Sequence, residues 1–376
     1  MSSERLNTQT VEPNGRPVGG TEYCWCQAVP GGTGIAVLAL LVSKAPDITC
    51  LQNAIHKLQN SHPILKSRLN SNTTTNSISF ITSSTPFVQI KSFTIPSNFS
   101  IIESLSIPNN HSISPFHLIH EHELNQNTWS NSPNRASCNI DTTNDMFFAT
   151  IYALPSTKRV VVFRLHVSAC DCTTAVSILR ELLMLLGDQE DRGGLVNEMG
   201  KNKGEVSLKI EDLIPNRKAK KPLWARGVDM LNYYVASLSL TNLKFKDTRS
   251  PRSSQVVCKS RGIKLCGALV AAGLMAAYSS KHNQRKKYGV VTLTDCHSIL
   301  DPPLCSHHFG FYHSAILNTH LIKGGEKLWE LAQKTYMGCA LVHGVGPSIA
   351  IFDIIRDGKL NCVCVYPAPL HSREQM

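Results

Sequence analysis

The stretch VVVFRLHVSACDCTTAVSILRELLMLL, Val160–Leu186, decides the fold. It opens on an apolar, β-branched run, Val160 to Phe163, that reads as a buried strand. It closes on an amphipathic helix, in which Val176, Leu179, Leu183 and Leu186 recur at helical spacing with Arg180 and Glu181 between them. Thr173 and Thr174 are natural caps for that helix, because a hydroxyl accepts the unpaired N–H groups of a first turn. The turn between strand and helix holds His166, Cys170 and Asp171. An imidazole and a carboxylate on a strand-to-helix turn suit general-base chemistry. They equally suit a plainer role, a core histidine and an aspartate at the positive end of a helix dipole.

Working outward, the N-terminal side predicts strands at Ile35–Val42, Ser77–Thr82 and Pro86–Phe93, and paired strands at Phe147–Leu154 and Arg159–Leu165. Asp47 caps a helix over Ile48–Gln59 whose apolar face is Ile48, Leu51, Ile55 and Leu58. Residues 1–20 read as a polar tail and 94–113 as loop, with a short helix around Phe116–Leu124. On the C-terminal side the helices are Leu223–Leu240, Ile263–Tyr278 and Glu326–Tyr336. Strands fall at Gly289–Leu293 and Phe311–Leu317, and a hairpin joins Ile349–Ile355 to Leu360–Tyr366. The organisation expected is an N-terminal half over 21–187, a crossover over 188–222 and a C-terminal half over 223–376.

With 376 residues, 42% hydrophobic and 17% charged, the chain can bury a core in each half. The net charge of +11 is spread along it, with short runs only at Arg217–Lys221 and Arg285–Lys287. No aromatic–basic interleaving points to nucleic acid. The 13 cysteines fall partly in C-x-C pairs (Cys24/Cys26, Cys170/Cys172, Cys362/Cys364), a spacing that suits buried small side chains on one strand face and not a zinc site. The polar N-terminus does not read as a secretory leader, and the apolar run Gly34–Val42 is too short to span a membrane. A reduced cytoplasmic protein is expected, a monomer without metal or redox cofactor, with the sequons at Asn72, Asn98 and Asn110 unused. His307, His308 and His313 read as polar rim residues.

Four segments in order resemble one superfamily. His62-Pro63-Ile64-Leu65-Lys66-Ser67-Arg68-Leu69 is similar to "HPxLRxRL", and Leu165–Thr174 stands where "HHxxxDG" precedes an amphipathic helix. Leu265–Ala277 resembles a small-residue helix opening the second half, and Asp295–Tyr312, DCHSILDPPLCSHHFGFY, resembles "DxRxRLxPPLPxxYFGN". These are motifs of the condensation-domain and BAHD acyltransferases, which share the chloramphenicol acetyltransferase fold. The likeness is greatest to plant proteins related to phthiocerol dimycocerosyl transferases.

The resemblance implies an α/β fold of two chloramphenicol-acetyltransferase-like halves, each a mixed or antiparallel sheet with helices, and a tunnel at their interface. It implies transfer of an acyl group from acyl-CoA, the co-substrate, to a small alcohol or amine. The motif's second histidine is the base, and its aspartate pairs with an arginine. In this chain the base position is Val167, His166 falls on the first histidine, and Cys172 replaces the glycine. His297 stands for the arginine, Ile299 for a second arginine and Phe311 for an asparagine. The resemblance therefore leaves His166 as candidate base, Asp171 with His297 as a structural pair, and Phe309, Gly310 and Tyr312 as substrate-binding residues. A catalytically degenerate ligand-binding or regulatory protein is the alternative. A third possibility uses the thiol of Cys170 or Cys172 as an acyl-accepting nucleophile. The joints at Val257–Cys258 and Tyr336–Gly338 are abrupt against the family pattern.

Overall fold

A computed structural model describes residues 15–105 except 33, 44–45, 73–74 and 76. It also describes 113–129, 141–187 except 156, 206–215, 224, 228, 231, 265–279, 286–335 except 306, 350–356 and 359–365. The described residues fall into two compact units. One holds those up to Pro215 together with His297–Tyr312, and the other holds the rest.

The first unit begins with strand β1 (Gly15–Pro17) and helix α1 (Gly20–Ala28), where a polar tail was expected to run to residue 20. Arg16 anchors the segment. Its guanidinium grips both carboxylate oxygens of Glu22 at 2.6 and 2.8 Å, and its Nε donates to the Ser207 carbonyl at 2.6 Å. Strand β2 (Ile35–Val42) and helix α2 (Ile48–Ser61) follow, and Asp47 caps α2 by accepting the N–H groups of Thr49 and Cys50. Leu51, Ile55 and Leu58 of the expected face are buried, whereas Ile48 in the first turn is half exposed.

Next come β3 (Ser67–Asn72), β4 (Ser77–Thr82), β5 (Ile90–Phe93) and helix α3 (Ile95–Leu105), where sequence predicted loop. Pro96 is tolerated in that helix because first-turn N–H groups have no intrahelical partner. Asn98 is buried in it and donates to the Ala153 carbonyl at 2.8 Å, so a residue read as loop-forming acts as a tether. Helix α4 (Pro115–Asn125), strands β6 (Asp141–Asp145), β7 (Phe147–Ala153) and β8 (Arg159–His166), and helix α5 (Cys172–Gly187) complete the run.

Two four-stranded sheets result. One has the order β1-β4-β3-β6, all antiparallel; the other has β2-β8-β7-β5, with β5 parallel to β7. Strand β8 is covered on both faces, which explains its lack of polar alternation. Val161, Phe163 and Leu165 join Leu51, Ile55, Leu58, Ile178 and Leu182 in the main core, while Val160 and Val162 meet Ile119 and Tyr152 on the other side. Each such side chain contributes about 1.5–3 kcal/mol. Arg164, on the same face as Val160 and Val162, is buried and charged. It pairs with Glu123 at 2.5 Å, and Glu123 in turn accepts the Tyr152 hydroxyl.

In the second unit, helix α6 (Leu265–Ser279) precedes strands β9 (Lys286–Asp295) and β10 (His313–Ile322), which pair antiparallel from His313↔Asp295 to Ile322↔Lys286. Helix α7 (Leu328–Thr335) follows, then the antiparallel pair β11 (Ala350–Arg356) and β12 (Lys359–Val365). Ala268, Ala271, Leu274 and Ala277 of α6 cluster with Tyr288, Val290, Ile322 and Leu331. Both units are α/β, as expected. The Leu223–Leu240 helix lies outside the described residues except at Trp224, Val228 and Leu231, which are helical; both abrupt joints lie outside them altogether. Of the expected crossover over 188–222, residues 206–215 pack in the first unit: Thr21 donates to Glu211 through its amide at 2.7 Å and its hydroxyl at 2.8 Å. No described helix is long and apolar enough to cross a membrane.

Candidate functional site

Three clusters surround the β8–α5 turn, all within the first unit. The first centres on Asp171. Its Oδ1 accepts the Thr174 N–H at 2.7 Å, so Asp171 caps α5 in place of the threonines predicted for that role. Its Oδ2 accepts the Tyr312 N–H at 2.9 Å, and its own N–H donates to the Gly310 carbonyl at 3.0 Å. Thr174 adds a second bridge, its hydroxyl donating to the Gly310 carbonyl at 3.0 Å. Asp171 thereby ties the motif turn to the segment His297–Tyr312. His297 is buried nearby, its Nε2 lying 3.8 Å from Asp171 Oδ2, an ion-pair distance too long for a hydrogen bond.

The second cluster is His166. It shares the β8 face of Val160, Val162 and Arg164, because strand residues two apart point the same way. Its ring is buried edge-on against Trp129, with centroids 5.4 Å apart. Its Nδ1 accepts the Ser168 N–H at 3.2 Å and lies 2.7 Å from the Ser168 hydroxyl. Burial pushes its pKa down to about 3. It is thus a neutral imidazole whose Nδ1 lone pair is committed to the turn, an arrangement that positions the loop and offers no proton acceptor from that atom. Val167, the next residue, is only partly buried on the short turn Val167–Ala169.

This burial has a pH consequence. The unfolded chain protonates His166 as pH falls through its ordinary value near 6.5, whereas the folded chain does so only near 3. The stability it contributes is therefore complete above pH 6.5 and is lost as pH falls toward 3, by about 2 kcal/mol between pH 7.5 and pH 5. Urea midpoints at those two pH values should separate less in His166→Gln than in the wild type. Equal separations would remove His166 from the acid response.

The third cluster was not legible in the sequence. Helix α5 buries Thr174, Ser177, Ile178, Glu181 and Leu182, while Val176 and Leu183, predicted for the core, are more than half exposed. The helix is rotated from the expected register, and this turns Glu181 inward. Each of its oxygens takes one imidazole: Oε2 meets His62 Nε2 at 2.7 Å and Oε1 meets His307 Nδ1 at 3.0 Å. Burial alone would raise the Glu181 pKa, but the hydrogen bonds and charges of His62 and His307 outweigh it and leave the carboxyl below its usual range. His62 is buried and stacks flat on Phe309, with centroids 3.5 Å apart, while His307 is exposed. The clue available in sequence was His62 itself, a polar side chain at the end of α2 that needs a buried partner.

The residues expected to bind substrate are packing residues in this arrangement. Phe309 and Tyr312 are buried, and the Tyr312 hydroxyl donates to the Leu208 carbonyl at 3.0 Å. A Cβ added at Gly310 would stand 2.9 Å from the Tyr312 ring, so glycine is required for that contact. Cys170 is buried, its thiol pushed well up by burial and donating to the Asp171 carbonyl at 3.5 Å, which disfavours it as a nucleophile; Cys172 is exposed. Among the described residues no three His, Cys, Asp or Glu side chains form a group fit to hold a metal ion.

No family model matches the sequence, and no curated protein does. Solved structures match over most of the chain. Polyketide synthase associated protein 5 from Mycobacterium tuberculosis aligns with a TM-score of 0.54 at 13% identity, covering 86% of this chain and 71% of that one. A mutant starter condensation domain of rhizomide synthetase, in complex with C8-CoA and Leu-SNAC, gives a TM-score of 0.54 at 11% identity, covering 86% and 70%. The chain has the condensation-domain fold. The X-domain from teicoplanin biosynthesis aligns similarly, with a TM-score of 0.53 at 12% identity over 89% and 70%. On this condensation-domain fold, the turn at His166–Asp171 is clamped by Asp171 and carries valine at position 167.

Proposed function

We propose that this chain handles acyl groups carried as thioesters of the acyl-CoA kind and transfers them to an alcohol or amine. The observation that supports the reading is the motif turn itself: Asp171 fastens both α5 and the segment His297–Tyr312, leaving residue 167 partly exposed. The rhizomide condensation domain, bound to C8-CoA, supplies the ligand chemistry for the proposal, and closer kinship with phthiocerol dimycocerosyl transferase-like proteins belongs to it as well. An alcohol attacks a thioester well only when its proton is taken, and valine takes none. Val167 and the committed Nδ1 of His166 therefore favour a second reading, a regulatory protein that binds the thioester without transferring it.

Thiol release from a panel of acyl-CoA donors, with pooled alcohol and amine acceptors, separates the two. Wild type, His166→Ala and Val167→His should be compared, alongside calorimetric binding of each donor. Turnover by the wild type supports transfer. A silent wild type that binds donor, with turnover gained in Val167→His by a factor on the order of 10²–10⁴, supports binding alone. Absence of both binding and turnover in all three proteins would sink the proposal.

A further inference from the structure

The segment between β9 and β10 carries chemistry that the motif turn does not use. Cys305 is exposed, and its Sγ lies 3.1 Å from Nδ1 of His308. The His308 N–H donates to the Cys305 carbonyl at 3.1 Å. The described residues on either side of the pair are well anchored. The Leu304 N–H donates to the His297 carbonyl at 2.9 Å, and the Asp301 N–H to the Leu213 carbonyl at 2.8 Å. His307 is held by Glu181, Phe309 lies under His62, and Gly310 is bridged to Thr174. A thiol beside an imidazole is the minimal arrangement for a cysteine nucleophile, since the thiolate is the reactive form and needs an adjacent proton acceptor.

We propose that Cys305 and His308 form an acyl-accepting centre in which the Cys305 thiol takes the acyl group from the thioester donor. The proposal rests on the acyl-thioester reading given above and supplies a reacting group that Val167 cannot. In the first step the Cys305 proton passes to the His308 ring, and the sulfur attacks the thioester carbonyl. The bond from that carbonyl to the CoA sulfur breaks, and the CoA thiolate recovers the proton from His308. One thioester is exchanged for another, so no oxidant or reductant is needed. In the second step an alcohol or amine gives its proton to the ring and attacks the carbonyl of the Cys305 thioester; the bond from that carbonyl to Sγ breaks, the Cys305 thiolate takes the proton back from the ring, and an ester or amide is released. Partial burial lowers the pKa of His308, and the neighbouring His297, His307 and His62 lower it further against a hydrogen bond to the Cys305 carbonyl that raises it, so the ring is neutral near pH 7. The shared carboxylate of Glu181 makes His307 a positioning residue for the loop.

The test is incubation of the full-length protein with octanoyl-CoA, followed by peptide mapping of all 13 cysteines for a hydroxylamine-labile acyl group. Calorimetric binding of octanoyl-CoA and the alkylation rates of Cys305, Cys24 and Cys172 by iodoacetamide are measured in parallel. The expected result is an acyl group on Cys305 that is absent in Cys305→Ser. In His308→Gln it should form at least about tenfold more slowly, and Cys305 alkylation should slow while that of Cys24 and Cys172 does not. Cys305 is exposed, so Cys305→Ser should keep the wild-type urea midpoint. Octanoyl-CoA that binds but labels Cys305 no more than Cys24 or Cys172, or labelling unchanged in His308→Gln, overturns the inference and leaves the acyl-thioester reading standing. Octanoyl-CoA that neither binds nor labels overturns both.

Discussion

Glu181→Ala should cost on the order of 3 kcal/mol or more of stability, the largest effect expected from any single change near the site. The carboxylate is buried and serves two imidazoles, at 2.7 Å to His62 and 3.0 Å to His307. Removing it leaves His62 buried with the Phe309 ring on one face and no carboxylate for its Nε2. Breaking one side of a buried pair is far more costly than the pair is worth, because the remaining group has lost both water and partner. Urea denaturation should show the loss directly. A cycle with His62→Ala and the double variant should return a coupling of about 1–3 kcal/mol, since residues in one buried network are not additive. His307 is exposed, so His307→Ala should change stability by less than about 1 kcal/mol. A Glu181→Ala protein within about 0.5 kcal/mol of wild type would mean that water replaces the carboxylate without penalty.

The second large effect is expected at Asp171. Its two oxygens accept the N–H groups of Thr174 and Tyr312, one capping α5 and the other holding a segment far along the chain. Asp171→Ala leaves two buried amides unsatisfied, at about 1–3 kcal/mol each. Asp171→Asn keeps one acceptor oxygen and turns an NH₂ toward the other amide, so it should recover only part of the loss. Hydrogen exchange separates the two functions. The Tyr312 amide should lose protection in both variants, while the Thr174 amide should stay protected in Asp171→Asn. Unchanged protection at Tyr312 in Asp171→Ala would show that the segment His297–Tyr312 is held by its other contacts alone.

The elements legible in the sequence are those whose pattern admits one solution. Val160–Leu165 is apolar throughout and is covered on both faces, and Asp47 caps α2 as its position implies. The failures have identifiable causes. In α5 two stripes of side chains recur at helical spacing, Val176/Leu179/Leu183/Leu186 and Thr174/Ser177/Ile178/Glu181, and hydrophobicity alone selects the first. The structure buries the second, because Glu181 and Thr174 find partners in His62 and Gly310, which are remote in sequence. Helix α3 was hidden by its serines, asparagine and proline, residues that favour turns until tertiary contacts such as Asn98 to Ala153 override them. His166 was recognised as central, but its burial and its bond to Ser168 are tertiary facts that residue type does not carry.

The excursion His297–Tyr312 leaves one unit between the paired strands β9 and β10 and is built into the other. Its consequence lies in how the protein must be made. A ribosome that has completed residues up to Pro215 has not yet supplied Phe309 to cover His62, nor the Tyr312 amide that Asp171 accepts. The first unit therefore cannot finish folding during its own synthesis, and it waits on a piece delivered within the second. For the same reason no single cut yields two self-sufficient fragments, and complementation of separately expressed halves requires that the excursion travel with the wrong half.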